Sequence, residues 1–187
     1  MKSIAIICIA LLVFGGCDLF NVRNAEIPSE SRSNFQGATT PDQVIPNLTN
    51  SLKDKNVVNY LACFSDTSYV FSPSSEAISL FASNWDKNSE KNYFNSLMSI
   101  SNIRADSQVI LKISNLDSIP QVNNIIYTVS YNLTVPFIDP SFPSSYRGDL
   151  KFSMRVDSRH IWSIYWWQDF KSTNYPSWSE LKGRLGN

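Results

Sequence analysis

From Ile125 to Val135 the chain alternates. Ile125, Tyr127, Val129, Tyr131, Leu133 and Val135 fall on one side of an extended backbone, and Ile126, Thr128, Ser130, Asn132 and Thr134 on the other. Successive side chains of a strand point to opposite faces, so this pattern reads as a half-buried β-strand and does not suit an amphipathic helix. The same period flanks it. Val109, Leu111 and Ile113 alternate upstream, and Leu150, Phe152, Met154 and Val156 alternate with Asp149, Lys151, Ser153 and Arg155 downstream. A fourth run, Ile161 to Asp169, is aromatic on both faces. A proline-rich loop, Pro136 to Pro143, separates the second and third of these runs. Otherwise the connections are short, which implies an antiparallel meander.

Ahead of residue 101 the apolar period is helical. Thr40 suits an N-cap, Pro41 a first helical position and Gln43 a capping box, and Val44, Leu48 and Leu52 follow at helical spacing. Pro46 predicts either a kink or a later start. Asn56 to Phe64 reads as a second helix, with Val57, Tyr60, Leu61 and Phe64 on one face. Tyr69-Val70-Phe71 is a short β-prone segment ending at Ser72-Pro73. From Ser75-Glu76 a helical pattern runs through Ile78, Phe81, Ala82 and Trp85, and Glu90 to Ile100 extends it with Tyr93, Phe94, Leu97 and Met98. Two helices, or one broken one, are expected over 75–101. A capping box at Ser177-Trp178-Ser179-Glu180 opens a last short helix, which Gly186 stops. Helices in front and strands behind make an α+β fold, with N-terminal helices on an antiparallel sheet of four or more strands and a short C-terminal helix.

The first residues obey different chemistry. Lys2 precedes an uncharged apolar run, Ile4 to Phe14, too short to span a bilayer but of the length of a signal-peptide core. Gly15-Gly16-Cys17 follows. The segment Val13-Phe14-Gly15-Gly16-Cys17 resembles the bacterial lipobox, with Phe14 where leucine is usual. That resemblance implies cleavage after residue 16, lipid on Cys17 and attachment to a bacterial membrane at the cell envelope. One acyl chain anchors only marginally, and lipoproteins carry more than one. Asp18 retains some lipoproteins at the inner membrane, which leaves the choice of membrane open. Residues 17–39, polar and without period, read as a flexible tether, and 40–187 as the domain.

Formal net charge is +0 with no basic run, which argues against nucleic acid as a partner. Cys8 leaves with the leader and Cys17 is lipidated, so Cys63 is alone and no internal disulfide forms; its apolar setting reads as a buried structural thiol. His160 is the only histidine, no residues have metal-ligand spacing, and no cofactor motif appears. His160 reads as a solvated turn residue. Asp66 and Asp169 read as surface helix or turn partners rather than pocket acids, because no base partner is visible.

The order of elements over Thr40 to Gln168 resembles the nuclear-transport-factor-2-like fold. Thr40-Pro41-Asp42-Gln43-Val44 looks like the first helix start of that fold. Tyr60-Leu61-Ala62-Cys63-Phe64-Ser65-Asp66 looks like its second helix running into the first strand, and Trp162-Ser163-Ile164-Tyr165-Trp166-Trp167-Gln168-Asp169 like its last strand. The resemblance implies a curved sheet wrapped around helices as a cone, and in many members a dimer formed through the sheet. Catalytic members carry a carboxylate just ahead of a proline on the first strand; here Ser72 precedes Pro73, and residues 41–54 hold no tyrosine donor. No catalytic residue is therefore assigned. The expectation is a non-catalytic small-ligand-binding or accessory domain, any ligand being apolar or aromatic, with Tyr69, Phe71, Trp85, Tyr127, Tyr131, Trp162 and Trp166 as candidate pocket lining. An enzyme with a cone-pocket acid and a dimerisation module are the alternatives.

Overall fold

The structure is a computed structural model, and it describes residues 35–81, 84–99 and 101–186. The expected leader, Cys17 and most of the tether lie outside the described residues. The chain is already seated at Ala38, which is buried and whose carbonyl accepts the Trp162 N–H at 2.7 Å.

A 3₁₀ turn, Pro41–Gln43, leads directly into helix α1, Val44–Lys53. The Thr40 N–H donates to Gln43 Oε1 at 3.2 Å. Pro46 is thus in the first α-helical turn, where a missing N–H costs little, and the later start is the one adopted. Helix α2, Val57–Ala62, is capped by Asn56, whose side chain accepts the Asn59 N–H at 3.0 Å. It ends two residues earlier than its apolar spacing predicts. The backbone there leaves the helix to bridge the sheet: the Cys63 carbonyl accepts from Ile164 N–H, and the Ser65 N–H donates to the Ile164 carbonyl, both at 2.8 Å.

Strand β1 is Val70–Ser72. In place of the helix expected from Ser75 to Trp85, the described residues of this stretch form a 3₁₀ segment, Ser75–Leu80. The chain must double back here, because the Phe71 N–H donates to the Trp85 carbonyl at 3.1 Å. Helix α3, Lys87–Leu97, starts at Asp86, whose carboxylate accepts the Asn88 and Ser89 N–H groups at 2.9 Å. Strands β2 (Ile110–Gln121), β3 (Asn124–Thr134), β4 (Ser145–Val156) and β5 (Trp162–Phe170) complete the sheet. Helix α4, Trp178–Leu185, carries the capping box at Ser177 and Glu180.

The fold is α+β, with five strands in the order β1-β5-β4-β3-β2 in one curved sheet. Strands β2 to β5 form the expected antiparallel meander, while β1 joins the β5 edge in parallel. Strand β2 is about twice as long as its alternation predicts. Its outer half from Leu116 to Gln121 is exposed, so no burial imposes a period there. The inner face of the sheet meets the helices through Val129, Leu133, Phe152, Ile164 and Trp167, all buried. The outer face is polar: Thr128 lies beside Lys151, and Ser130 beside Asp149, with the Ser130 hydroxyl donating to Asp149 at 2.7 Å.

Helix α4 packs close because of Gly183. A Cβ there would stand 2.5 Å from Leu80 Cβ, so the small residue is what lets the helix lie against the 3₁₀ segment.

Candidate functional site

Inside the cone, helix α3 projects the carboxylate of Glu90, a fully buried residue. A buried carboxylate is tolerable only when its lone pairs are filled. Four donors fill these. Tyr60 Oη and Lys182 Nζ meet Oε1 in very short contacts, while Tyr69 Oη reaches Oε2 at 3.0 Å and Trp85 Nε1 at 2.6 Å. Burial first, and then the Glu90 charge, raise the pKa of both Tyr60 and Tyr69 well above the usual phenol value, which keeps them protonated donors.

Lys182 arrives from α4 and is likewise fully buried. Its ammonium sits over rings: 3.8 Å from the Trp167 centroid, 4.2 Å from Phe71, 5.2 Å from Tyr93 and 5.7 Å from Trp85. Burial pushes its pKa down to about 8, against the opposing pull of Glu90 and Asp169. Trp178, one turn earlier on α4, donates Nε1–H to Tyr93 Oη at 2.8 Å and packs edge-on against Trp167 at 4.7 Å between centroids.

Asp169 on β5 holds the start of α4. Its carboxylate accepts the Ser179 N–H at 2.7 Å, the Ser179 hydroxyl at 2.5 Å and Tyr131 Oη at 3.1 Å. It is 1% exposed, which corrects its reading as a surface partner. Ser179 of α4 and Tyr131 of β3 close on it, a consequence of tertiary packing that its local sequence does not display. Burial pushes its pKa from 3.8 up to about 6 despite those donors. A carboxyl with a folded-state pKa above its unfolded value binds its proton more readily when folded. Its contribution to stability is therefore present at acid pH and is lost as pH rises from about 4 to about 6. At about 1.4 kcal/mol per pKa unit, the stability of wild type relative to Asp169→Asn should fall by about 3 kcal/mol across that window, measured by urea unfolding at each pH. A difference that does not change with pH would refute the shift.

The seven aromatic residues marked from the sequence go to separate places. Tyr69, Phe71 and Trp85 are buried around Glu90 and Lys182, and Tyr131 is buried beside Asp169. Tyr127 is buried near α1, where its hydroxyl donates to Asp42 in a very short hydrogen bond. Trp162 and Trp166 are half-buried. A bulge in β5 shifts the register between the partners of Ser153 and Met154, so Ile164 and Trp167 face the core while Trp166 is left opposite Ser153. Trp166 Nε1–H donates to Ser72 Oγ at 2.8 Å, and Lys151 lies 5.7 Å over its ring.

Asp66 is exposed and pairs with Lys87 at 2.7 Å. His160 is exposed in a turn at φ 60°, its N–H donating to the Asp157 carbonyl at 3.0 Å. Cys63 is buried, which raises its thiol pKa well above normal.

Two of the clefts among the described residues bear on ligand binding. One, of about 410 Å³, lies between α1 and the β2–β3 hairpin; Ile45, Pro46, Leu111, Ile113 and Leu116 form its apolar wall, and Asp42, Tyr127, Thr49 and Asn50 its polar lining. The other, of about 750 Å³, is rimmed by Asp66, Arg155, Asp157 and Arg159. Arg159 pairs there with Asp157 at 2.7 Å and with Asp66 at 3.4 Å, so those rim charges largely satisfy one another.

Sequence reasoning missed Glu90 and Lys182, yet a signal was present. Glu90 precedes Tyr93, Phe94 and Leu97 by three, four and seven residues, on the apolar stripe of its helix. Lys182 follows Trp178 by four on α4. A charge on an apolar stripe calls for a buried partner.

No protein-family profile matches the sequence, and no curated protein does. Solved structures do match in shape. A putative scytalone dehydratase from Novosphingobium aromaticivorans superposes with a TM-score of 0.58 at 9% identity, over 71% of this chain and 81% of that one. A nuclear transport factor 2-like superfamily protein from Salmonella enterica gives 0.53 at 11%, over 72% and 87%. A cystatin-like-fold protein of unknown function from Nostoc punctiforme gives 0.52 at 14%, over 72% and 90%. At these identities the likeness is one of fold alone: helices packed on a curved, cone-like sheet, similar to that of nuclear-transport-factor-2-like proteins.

Proposed function

We propose that this chain is a cell-envelope protein anchored through lipid on Cys17. In this reading its cone domain binds a small apolar or aromatic ligand between α1 and the β2–β3 hairpin, without chemistry on it. The carrying observation is the 410 Å³ cleft, with Ile45, Pro46, Leu111, Ile113 and Leu116 as an apolar wall and the hydrogen-bonded Asp42–Tyr127 pair, Thr49 and Asn50 as its polar lining. That volume lies within the range of small-molecule sites, and a few polar groups in an apolar wall suit orientation of a mainly apolar ligand. The non-catalytic reading draws support from the carboxylates inside the cone. Glu90 and Asp169 are each filled by several protein donors, which leaves them poorly placed to take a substrate proton. The anchoring rests on the lipobox resemblance at Gly15-Gly16-Cys17.

The two halves are tested separately. Mass spectrometry of protein from a bacterial host should find residue 17 acylated at a new N-terminus, and Cys17→Ser should move the protein from the membrane fraction to the supernatant. An unmodified Cys17 would overturn the anchor. For the ligand, melting temperature is measured across fatty acids and aromatic metabolites. A compound at 100 times its Kd should stabilise the domain by about 2.7 kcal/mol. Ile113→Trp, which fills the cleft, should abolish that gain. A shift that survives Ile113→Trp would place binding elsewhere, and no shift with any compound would overturn the ligand reading.

A further inference from the structure

The arrangement around Lys182 is that of a ligand in a site. Four aromatic rings and one carboxylate surround a single ammonium group, and the ammonium belongs to the last helix while the rest do not. Rings within about 6 Å of a cation attract it through their quadrupoles, most strongly once water is gone, and an aromatic cage is how quaternary ammonium and methyl-lysine ligands are recognised. The cage has supports of its own. Phe71 and Trp167 are adjacent across the β1–β5 pairing. Tyr93 and Glu90 share α3. Trp85 and Tyr69 are tied to Glu90 by hydrogen bonds at 2.6 and 3.0 Å. Lys182 contributes to none of these links.

Stability alone does not account for the pair. Replacing a buried ion pair with well-packed apolar residues is often neutral or stabilising, so holding α4 in place does not by itself call for an ammonium at position 182. We propose that the cone interior is a recognition site for an organic primary ammonium ion, occupied in cis by Lys182, so that α4 is a plug carrying its own ligand. Trp178 and the Asp169–Ser179 contacts seat the plug, and Lys182 fills the cage.

Full-length Lys182→Ala removes three methylenes and the ammonium, a gap the size of n-propylammonium. Its unfolding is followed with n-propylammonium chloride, with n-propanol, and with sodium chloride at matched ionic strength. The ammonium should stabilise the variant saturably, with half-saturation about tenfold or more below that of the alcohol, as expected for a desolvated cation over aromatic faces. If the variant is unfolded in buffer, the same titration reads recovery of folding by circular dichroism. Lys182→Met, which refills the space without charge, should not respond, and adding Glu90→Gln to Lys182→Ala should abolish the preference for the ammonium. Equal responses to ammonium and alcohol, no response or recovery at all, or an equal response in Lys182→Met would each overturn the proposal.

Discussion

Replacing Glu90 with alanine should cost about 3–5 kcal/mol, the usual penalty for breaking a buried ion pair from one side. The reason is the company it leaves behind. Lys182 would hold an unpaired ammonium with no exposure to water, and Tyr60, Tyr69 and Trp85 would lose their acceptor together. Each unsatisfied buried donor adds a desolvation cost on the order of 1–3 kcal/mol. Set against a total stability of about 5–15 kcal/mol, the variant should melt roughly 10 °C or more below wild type, or fail to fold at 37 °C. Urea unfolding of Glu90→Ala, Lys182→Met and their combination checks this. The double variant should be more stable than Glu90→Ala alone, because it no longer buries a lone charge. A loss below about 1 kcal/mol in Glu90→Ala would mean that water reaches the carboxylate, and the buried network described above would be wrong.

The second large effect is at Trp178. Trp178→Ala should destabilise by about 3–5 kcal/mol, the range for deleting a large buried aromatic side chain. Its ring packs on Trp167 and Tyr131, and its indole N–H donates to Tyr93. Trp178→Phe separates the two contributions. It keeps an aromatic ring in the site but removes the donor, and it should cost about 1–2 kcal/mol. Thermal unfolding of both variants should rank alanine well below phenylalanine. Equal losses would assign the effect to the hydrogen bond rather than to packing. Trp178 also begins α4, so hydrogen exchange in Trp178→Ala should rise over residues 178–185 before it rises in the sheet.

Strands β3 and β4 were legible in the sequence because one face of each is buried and the other is not, which writes a period of two into the residues. The capping box at Ser177 and Glu180 was legible for a similar reason, since orphan backbone groups at a helix start need particular side chains within three residues. Segments without a one-sided environment were misread. The outer half of β2 is exposed on both faces and shows no alternation. The stretch from Ser75 to Trp85 has helical spacing, but it doubles back so that Trp85 pairs with Phe71 on the preceding strand, a contact that apolar spacing does not encode.

Local spacing therefore determined the α+β class, the antiparallel meander and the aromatic character of the core, because burial on one side of an element repeats with that element's own geometry. It could not determine which aromatic residues meet. The β5 bulge, which turns Trp167 inward and leaves Trp166 half-exposed, lies in strand register and not in residue type. Nor could it pair Glu90 with Lys182, 92 residues apart. Only the folded chain brings α4 over the mouth of the sheet. There, exclusion of water turns an ordinary helix lysine into a caged cation and an ordinary strand aspartate into a buried acid.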